Sequence, residues 1–448
     1  MNMKKSVAFL TLGCKVNQIE TQSMSELFRR AGYEIKQFGE DADIYVINTC
    51  SVTAVGEKKS RQQIRRAHRI NPEAVIAVTG CYAQLAPEDI AAIEGVGLVI
   101  GTKDRQNIVA LAEEAAASYA EERKATSKVG NIRETHEFEE LAIDDDVKGD
   151  IAPHQRTRAF IKIQEGCENF CTYCIIPYTR GPLRSRRLDS IRAEAKRLAE
   201  EGYREIVLTG IHLGAYGRDF GDGTTLADAV ELILAEKSFA RVRLSSLESV
   251  EVDERLLAMM KEEPRFAPHL HLPLQAGSDE ILRRMNRHYN TAEFIALAER
   301  LRSEVPSLAL TTDIIVGFPG ETEELFAETL KNAETIGFSK IHVFPYSVRP
   351  GTPAATMPNQ VPEPVKKERV HRLEAVGEKT ATAFRKASIG KVKEVLIETI
   401  DEAKNVADGL TDTYIRVYCD ADGMKSGELV SLRLVSEHED GLWGEIIR

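Results

Sequence analysis

Cys167-Glu-Asn-Phe-Cys171-Thr-Tyr-Cys174 gathers three thiols into one short loop, spaced by four and then three residues. A loop of this length can set three sulfur donors around one metal centre. Tetrahedral zinc and each iron of a cubane cluster take four ligands. The next cysteine is Cys419, far along the chain, so the loop is one ligand short. Structural zinc sites usually come as two close cysteine pairs, and no second pair follows here. A disulfide is disfavoured because nothing in the sequence suggests export. The spacing points to a metal centre with one position left for something other than protein.

Working outward, the apolar run Ala159–Gln164 reads as a strand that delivers Cys167. Five further strand-like runs alternate with helical stretches: Glu205–Thr209, Val242–Ser245, Leu270–Leu274, Leu310–Val316 and Ile341–Pro345. Six β/α units fall short of the eight of a closed barrel, so an open, partial (β/α)6 barrel is expected. Barrel active sites lie at the C-terminal ends of strands. Polar residues gather there: Gly210 and His212, Ser246 and Glu248, Gln275 and Ser278, Gly317 and Glu321, Tyr346 and Arg349. Each alone has a plain reading as a turn residue or a helix cap, Ser278 being one example. The ensemble carries the signal.

Upstream, the apolar runs Val7–Leu12, Ile44–Asn48, Ala74–Thr79 and Leu98–Ile100 alternate with helical stretches over Gln18–Arg30, Val55–Arg69 and Gln106–Glu122. Strands apolar throughout and separated by helices predict an N-terminal doubly wound parallel sheet, and an α/β chain overall. Such sheets bind ligands at the carboxyl ends of their strands. Cys14, Cys50 and Cys81 follow the first three strands. Single buried cysteines are common. Three successive strands each ending in one predict a second three-thiol centre.

The loop Cys167/Cys171/Cys174, with Tyr173 before its last thiol, resembles the signature of radical S-adenosylmethionine (SAM) enzymes. Thr11-Leu-Gly-Cys14-Lys-Val-Asn17, Asn48-Thr-Cys50-Ser-Val-Thr53 and Thr79-Gly-Cys81 resemble the N-terminal domain of the radical SAM methylthiotransferases. Among their branches, the wording is most similar to the one acting on N6-threonylcarbamoyladenosine in tRNA. Two sister branches act on isopentenyladenosine in tRNA and on an aspartate of a ribosomal protein. The resemblance implies two [4Fe–4S] clusters, one on each cysteine trio, and SAM chelated by the Cys167/Cys171/Cys174 cluster. It implies SAM contacts from Tyr173, Thr209, Gly210, Ser245, Ser246, Glu248, Gln275, Ile315 and Gly317. It also implies the chemistry: a 5′-deoxyadenosyl radical takes hydrogen from C2 of the adenine at position 37, and the second cluster supplies sulfur that another SAM methylates. No catalytic side chain beyond the cluster ligands is implied, because the cofactors carry the hard chemistry. A non-catalytic iron–sulfur RNA-binding protein is the contrasting reading, and it would not need an open ligand position at both centres.

The flanks set the domain limits: 1–115 for the N-terminal sheet, 116–152 for a charged linker, 153–385 for the radical SAM domain and 386–448 for a last module. That last stretch alternates apolar and polar residues, which predicts a small antiparallel β-barrel. It resembles the TRAM domain, an RNA-binding module. It is acidic here, and Cys419 on one of its strands reads as core filler.

The 448 residues carry a net charge of −11, which argues against indiscriminate nucleic-acid binding. Two basic clusters stand out: Lys58, Lys59, Arg61, Arg65, Arg66 and Arg69 after Cys50, and Arg180, Arg184, Arg186 and Arg187 after Cys174. Both are candidates for tRNA phosphates, with a single-stranded anticodon loop as the sensible target. Charge runs in general are more often solvated faces than binding sites, so each cluster alone is balanced between the two readings. No apolar run is long enough to span a membrane. Lys4-Lys5-Ser-Val-Ala reads as the start of a strand, not as a signal peptide. A reducing cytosol is expected, with an electron donor of flavodoxin or ferredoxin type and a sulfur source as further partners.

Overall fold

The computed structural model describes residues 5–141 and 157–447. They form two compact units. One comprises the described residues up to 141 together with Gln164–Arg186 and Ser347–Ala355. The other comprises 157–163, Arg187–Tyr346 and 356–447.

The first unit is built on a parallel sheet of β1 (Ser6–Thr11), β2 (Glu34–Lys36), β3 (Ile44–Thr49), β4 (Val75–Gly80), β5 (Val96–Ile100) and β6 (Thr126–Lys128), in the order β2-β1-β3-β4-β5-β6. β3 and β4 are buried along their whole length. Alternate residues feed two apolar layers, as a sheet covered on both faces requires. Ile47 and Val78 pack with Ile64, Tyr82 and Ile90. Val46 and Ala77 pack with Phe28, Ile108 and Tyr119. The doubly wound expectation holds.

The sequence limits differ from the structure in two places. Residues 116–134 are not linker: a helix runs unbroken over Ile108–Glu122, and β6 then joins the sheet edge. The acidic run from Asp144 lies outside the described residues. Gln164–Arg186 was expected to belong wholly to the barrel domain, yet it packs as part of the first unit.

In the second unit, β7 (Arg158–Glu165), β9 (Glu205–Gly210) and β10 (Arg241–Leu244) lie side by side; β8 (Arg184–Ser185) pairs with the Gln164–Glu165 end of β7 in the first unit. β11 (His269–His271), β12 (Ala309–Val316) and β13 (Lys340–Pro345) form a parallel trio. A bridge between Ser246 and His271 continues one group into the other. The order β7-β9-β10-β11-β12-β13 is the open six-stranded barrel expected, with the helix Glu363–Lys386 packed along β13.

β14 (Val392–Asp401), β15 (Val406–Thr411), β16 (Arg416–Asp420), β17 (Leu429–His438) and β18 (Gly441–Ile446) close a small barrel. Val395, Val417, Leu432 and Leu442 fill it, and Cys419 is fully buried among them as core. The barrel is fixed to β9 and β10 by charge. Glu205 takes Arg241 at 2.8 Å and Arg243 at 3.0 Å. Arg243 continues to the carbonyl of Asp412 at 2.7 Å and stacks on the Tyr414 ring. Among the described residues, no helix is long and apolar enough to cross a membrane.

Candidate active site

Cys14, Cys50 and Cys81 follow β1, β3 and β4, three neighbours in the sheet, so one sheet edge carries all three. Cys14 is the N-cap of helix α1 (Lys15–Arg30), and Cys81 begins a short helix directly after β4. Cys50 leads into helix α2 (Ala54–Ile70), capped by Thr53, whose hydroxyl accepts from the Gly56 amide at 3.1 Å. Gly13 has φ +107, and a Cβ there would lie 3.0 Å from the Cys50 Cβ and 3.1 Å from its Sγ. The turn therefore requires glycine, and it presses the first cysteine loop against the second. Burial pushes the Cys50 thiol up to about 11, and the nearby Cys81 and Cys14 add to this. Burial likewise raises the Cys81 thiol, against the opposing pull of Arg180.

Arg180 is the hub of this edge. It is fully buried, and its Nε donates to Cys81 Sγ at 3.1 Å. Nη1 reaches Glu20 at 2.6 Å and Glu165 at 3.2 Å, and Nη2 reaches Asn17 Oδ1 at 2.5 Å. Arg105 closes the network, pairing with Glu20 at 2.6 Å and Glu139 at 3.0 Å. Asn17 also donates to the carbonyls of Leu12 at 2.8 Å and Thr49 at 3.0 Å. One polar network thus spans the ends of β1, β3 and β4. Burial opposes the Arg180 charge, but Cys81, Glu165 and Glu20 outweigh it. Arg180, a candidate for phosphates from the sequence, is thus committed to the interior, and its partners Glu20 and Asn17 carry no such role in the sequence reading. The signal was there: Cys14, Asn17 and Glu20 recur every three residues and share one face of α1.

The second trio belongs to the same unit. Cys174 N donates to Cys171 O at 2.9 Å, which closes a tight turn between the last two cysteines. Gly166, with φ +77, lies where a Cβ would meet the Pro182 carbonyl, so the chain can double back beneath the loop only as glycine. Cys167 N then bonds Gly181 O at 3.1 Å. Cys171 is buried, while Cys167 and Cys174 are half-buried. Tyr173 sits in the turn between the last two thiols. Ser347–Ala355 ties this loop to α2: Ala354 N bonds Thr172 O at 2.9 Å, Ala54 N bonds Ser347 Oγ at 3.2 Å, and Arg349 pairs with Glu57. Each set offers three thiols, one fewer than the four irons of a cubane cluster, and so fits a cluster with one iron left for another ligand.

The remaining candidates sit at strand ends of the second unit. Thr209 and Gly210 end β9, and Ser245 N bonds Leu208 O at 2.9 Å after β10. Ser246 is exposed beside it. Glu248 pairs with Arg287. Gln275 has φ +63 and is zipped to β12 through Ile315 N→Gln275 O at 2.8 Å. Gly317 has φ +73, and its amide donates to Glu321 at 2.7 Å, which Arg369 also holds at 2.7 Å.

The basic residues divide. Lys58, Lys59, Arg65, Arg66 and Arg69 are exposed on α2, whereas Arg61 is half-buried and bonds the Tyr82 hydroxyl at 2.8 Å. The second cluster corrects the sequence reading. Arg184 is buried, with its guanidinium spent on the carbonyls of Thr135 at 3.1 Å and Arg180 at 2.8 Å. Arg186 pairs with Glu140 at 2.8 Å. Arg187 belongs to the other unit, where it stacks on Phe220. Arg180 and Arg184 are therefore internal ties and not surface charges open to phosphates.

Two family models match the chain: Uncharacterized protein family UPF0004 over residues 6–101 and the Radical SAM superfamily over residues 161–333. The chain is 44% identical to the threonylcarbamoyladenosine tRNA methylthiotransferase MtaB of Bacillus subtilis, over 99% of this chain and 96% of that one. Its counterpart from Thermotoga maritima is 38% identical, over 98% and 96%. A tRNA-2-methylthio-N(6)-dimethylallyladenosine synthase from Caldicellulosiruptor saccharolyticus is 34% identical, over 99% and 93%. Among solved structures, the radical SAM methyltransferase TsrM from Kitasatospora setae matches with TM-score 0.59 at 14% identity, over 79% of this chain and 77% of that one, which is a likeness of fold.

Proposed function

The chain belongs to the radical SAM tRNA methylthiotransferases, and from that premise we propose that it transfers a methylthio group to N6-threonylcarbamoyladenosine in tRNA. SAM and [4Fe–4S] clusters are its cofactors, as the family requires. The substrate branch rests on the gap between 44% identity to the threonylcarbamoyladenosine enzyme and 34% to the dimethylallyladenosine one, both over nearly the whole chain.

The observation that carries the site is the convergence of Cys14, Cys50 and Cys81 on one edge of the sheet, in the unit that also holds Cys167, Cys171 and Cys174. We assign one cluster to each trio, with SAM on the second. When bound, these groups supply the one-electron chemistry that opens an unactivated C–H bond, and a place to carry sulfur. The chain's own residues hold and shield. Gly13 lets two cysteine loops approach. Arg180 anchors the third and balances the negative charge that thiolates and inorganic sulfide bring to a buried edge. Thr209, Gly210, Ser245, Gln275 and Gly317 stand at the strand ends where a barrel binds its ligand.

The finer reading is C2 of the adenosine at position 37, in the anticodon loop of a cytosolic tRNA. A single-stranded loop lets the base leave its stack and enter a barrel mouth. A low-potential electron donor and a sulfur source complete the reaction.

The test is nucleoside mass spectrometry on tRNA, after anaerobic reconstitution of the protein with iron and sulfide and incubation with SAM and a reductant. The expected product is 2-methylthio-N6-threonylcarbamoyladenosine, with isopentenyladenosine unchanged. Formation of 5′-deoxyadenosine with every nucleoside unchanged would move the substrate elsewhere.

A further inference from the structure

We propose that His271, Asp313 and His342 form a binding site for one divalent cation of the zinc or ferrous type, separate from the six cysteines of the cluster sites. The three residues stand on the adjacent parallel strands β11, β12 and β13. Register places His271 opposite Thr311 and His342 opposite Asp313. Thr311 and Asp313 are two apart on β12, so they share one face of it. A ligand atom from each of the three residues lies within 4.8 Å of the other two.

The geometry is close to a bound arrangement. His271 Nε2 is 3.3 Å from Asp313 Oδ2, about the edge of a coordination polyhedron with metal–ligand bonds near 2.1 Å. The rings of His271 and His342 have centroids 5.8 Å apart and planes at 51°. Two imidazoles on one zinc ion place their centroids roughly 5–6 Å apart.

The orientation of His271 is fixed from behind. Its Nδ1 lies 2.9 Å from Thr311 Oγ1, which in turn lies 3.0 Å from His269 Nε2. A ligating histidine ordinarily has its second ring nitrogen held in this way, which aims the first at the metal. Here the tie through Nδ1 turns Nε2 toward Asp313. The His271–Asp313 pair supplies two donors, and the His342 imidazole brings a third ligand atom within 4.8 Å of both.

His342 is exposed, and the other two residues are half-buried, so a cation in solution can reach the site. Two nitrogens and one carboxylate oxygen suit zinc or ferrous iron and leave positions for an oxygen donor such as water or a carboxylate.

The experiment titrates zinc into the reconstituted protein, in which the six cysteines assigned to clusters hold iron and Cys419 is buried in the small barrel, and counts zinc and iron per chain after desalting. Wild type is expected to retain about one zinc per chain, with affinity falling at least about ten-fold in His342→Gln and Asp313→Asn at constant iron content. His342 is exposed, so its replacement leaves packing intact. Equal zinc retention by wild type and His342→Gln, or none by either, would overturn the proposal. So would a zinc loss that follows the iron loss, because it would place the zinc on the cysteines.

Discussion

The Nε of Arg180 donates to the Sγ of Cys81 at 3.1 Å, although 99 positions separate the two residues in sequence. The contact joins the segment after the second cysteine trio to the last member of the first. Lysine is a point charge and cannot serve Cys81, Glu20, Glu165 and Asn17 from one planar fork. Arg180→Lys is expected to lose about 3 kcal/mol of stability, because Glu20 and Glu165 are left underpaired in a buried site. Arg180→Gln should lose more. On the proposed assignment of a cluster to Cys14, Cys50 and Cys81, removing a donor and a positive charge beside the Cys81 sulfur should lower that cluster's reduction potential in the reconstituted protein. A redox titration followed by electron paramagnetic resonance checks this. The other cluster should hold its potential, and the shift should be smaller for lysine than for glutamine. Equal potentials in all three proteins would reduce Arg180 to a packing role.

The two cysteine trios are expected to fail differently. Cys14→Ala should still cleave SAM and release 5′-deoxyadenosine but form no methylthio product. Cys171→Ala should lose both activities. Measuring both products on the same samples tests the division of labour. A Cys14 variant that still methylthiolates would remove the first trio from the reaction.

Both cysteine trios were legible in the sequence because their signals are local. Cys167, Cys171 and Cys174 are a spacing, and Cys14, Cys50 and Cys81 each follow an apolar strand. The six strands of the open barrel were legible for the same reason. Glu34–Lys36 and Thr126–Lys128 were not, since three-residue edge strands with polar side chains carry no apolar run. Arg180 and Arg184 were misread because a run of arginines shows charge but not direction. Their partners, Glu20 and the Thr135 carbonyl, are distant in sequence and meet them only through the fold. His271, Asp313 and His342 drew no notice, since each is one polar residue on a separate strand.

Glu205 gives a pH signature. Burial opposes its ionisation, but Arg243 and Arg241, with Arg158, outweigh that and hold its carboxyl below the usual range. A depressed carboxylate contributes stability that is full above its unfolded pKa of about 4.3 and is lost as pH falls through the lower folded value. The attachment of the β14–β18 barrel should therefore persist from neutral pH to below about pH 4 and fail only in stronger acid. Glu205→Gln should cost about 3 kcal/mol at neutral pH, and its difference from wild type should shrink as acid protonates Glu205. Urea unfolding across pH, read separately at Trp443 in β18, reports it. A difference independent of pH would exclude the charge of Glu205 as the cause.

Lys58, Lys59, Arg65 and Arg69 are exposed on α2, directly downstream of Cys50, and offer four positive charges to a docking RNA. Each phosphate contact to a single strand releases counterions and contributes about 0.7 to the slope of log affinity against log salt. Replacing all four with alanine should weaken tRNA binding about ten-fold or more near physiological salt and flatten the slope by up to about 3. The effect should be nearly the same for any tRNA, since phosphates carry no sequence. Arg184→Ala is the contrasting control. Its guanidinium is spent on two backbone carbonyls inside the first unit, so it should lower stability and leave the salt slope of the folded protein unchanged. Filter binding at several salt concentrations separates the two. An unchanged slope in the α2 variant would make that face a solvated surface and send the search for the RNA path to other basic residues.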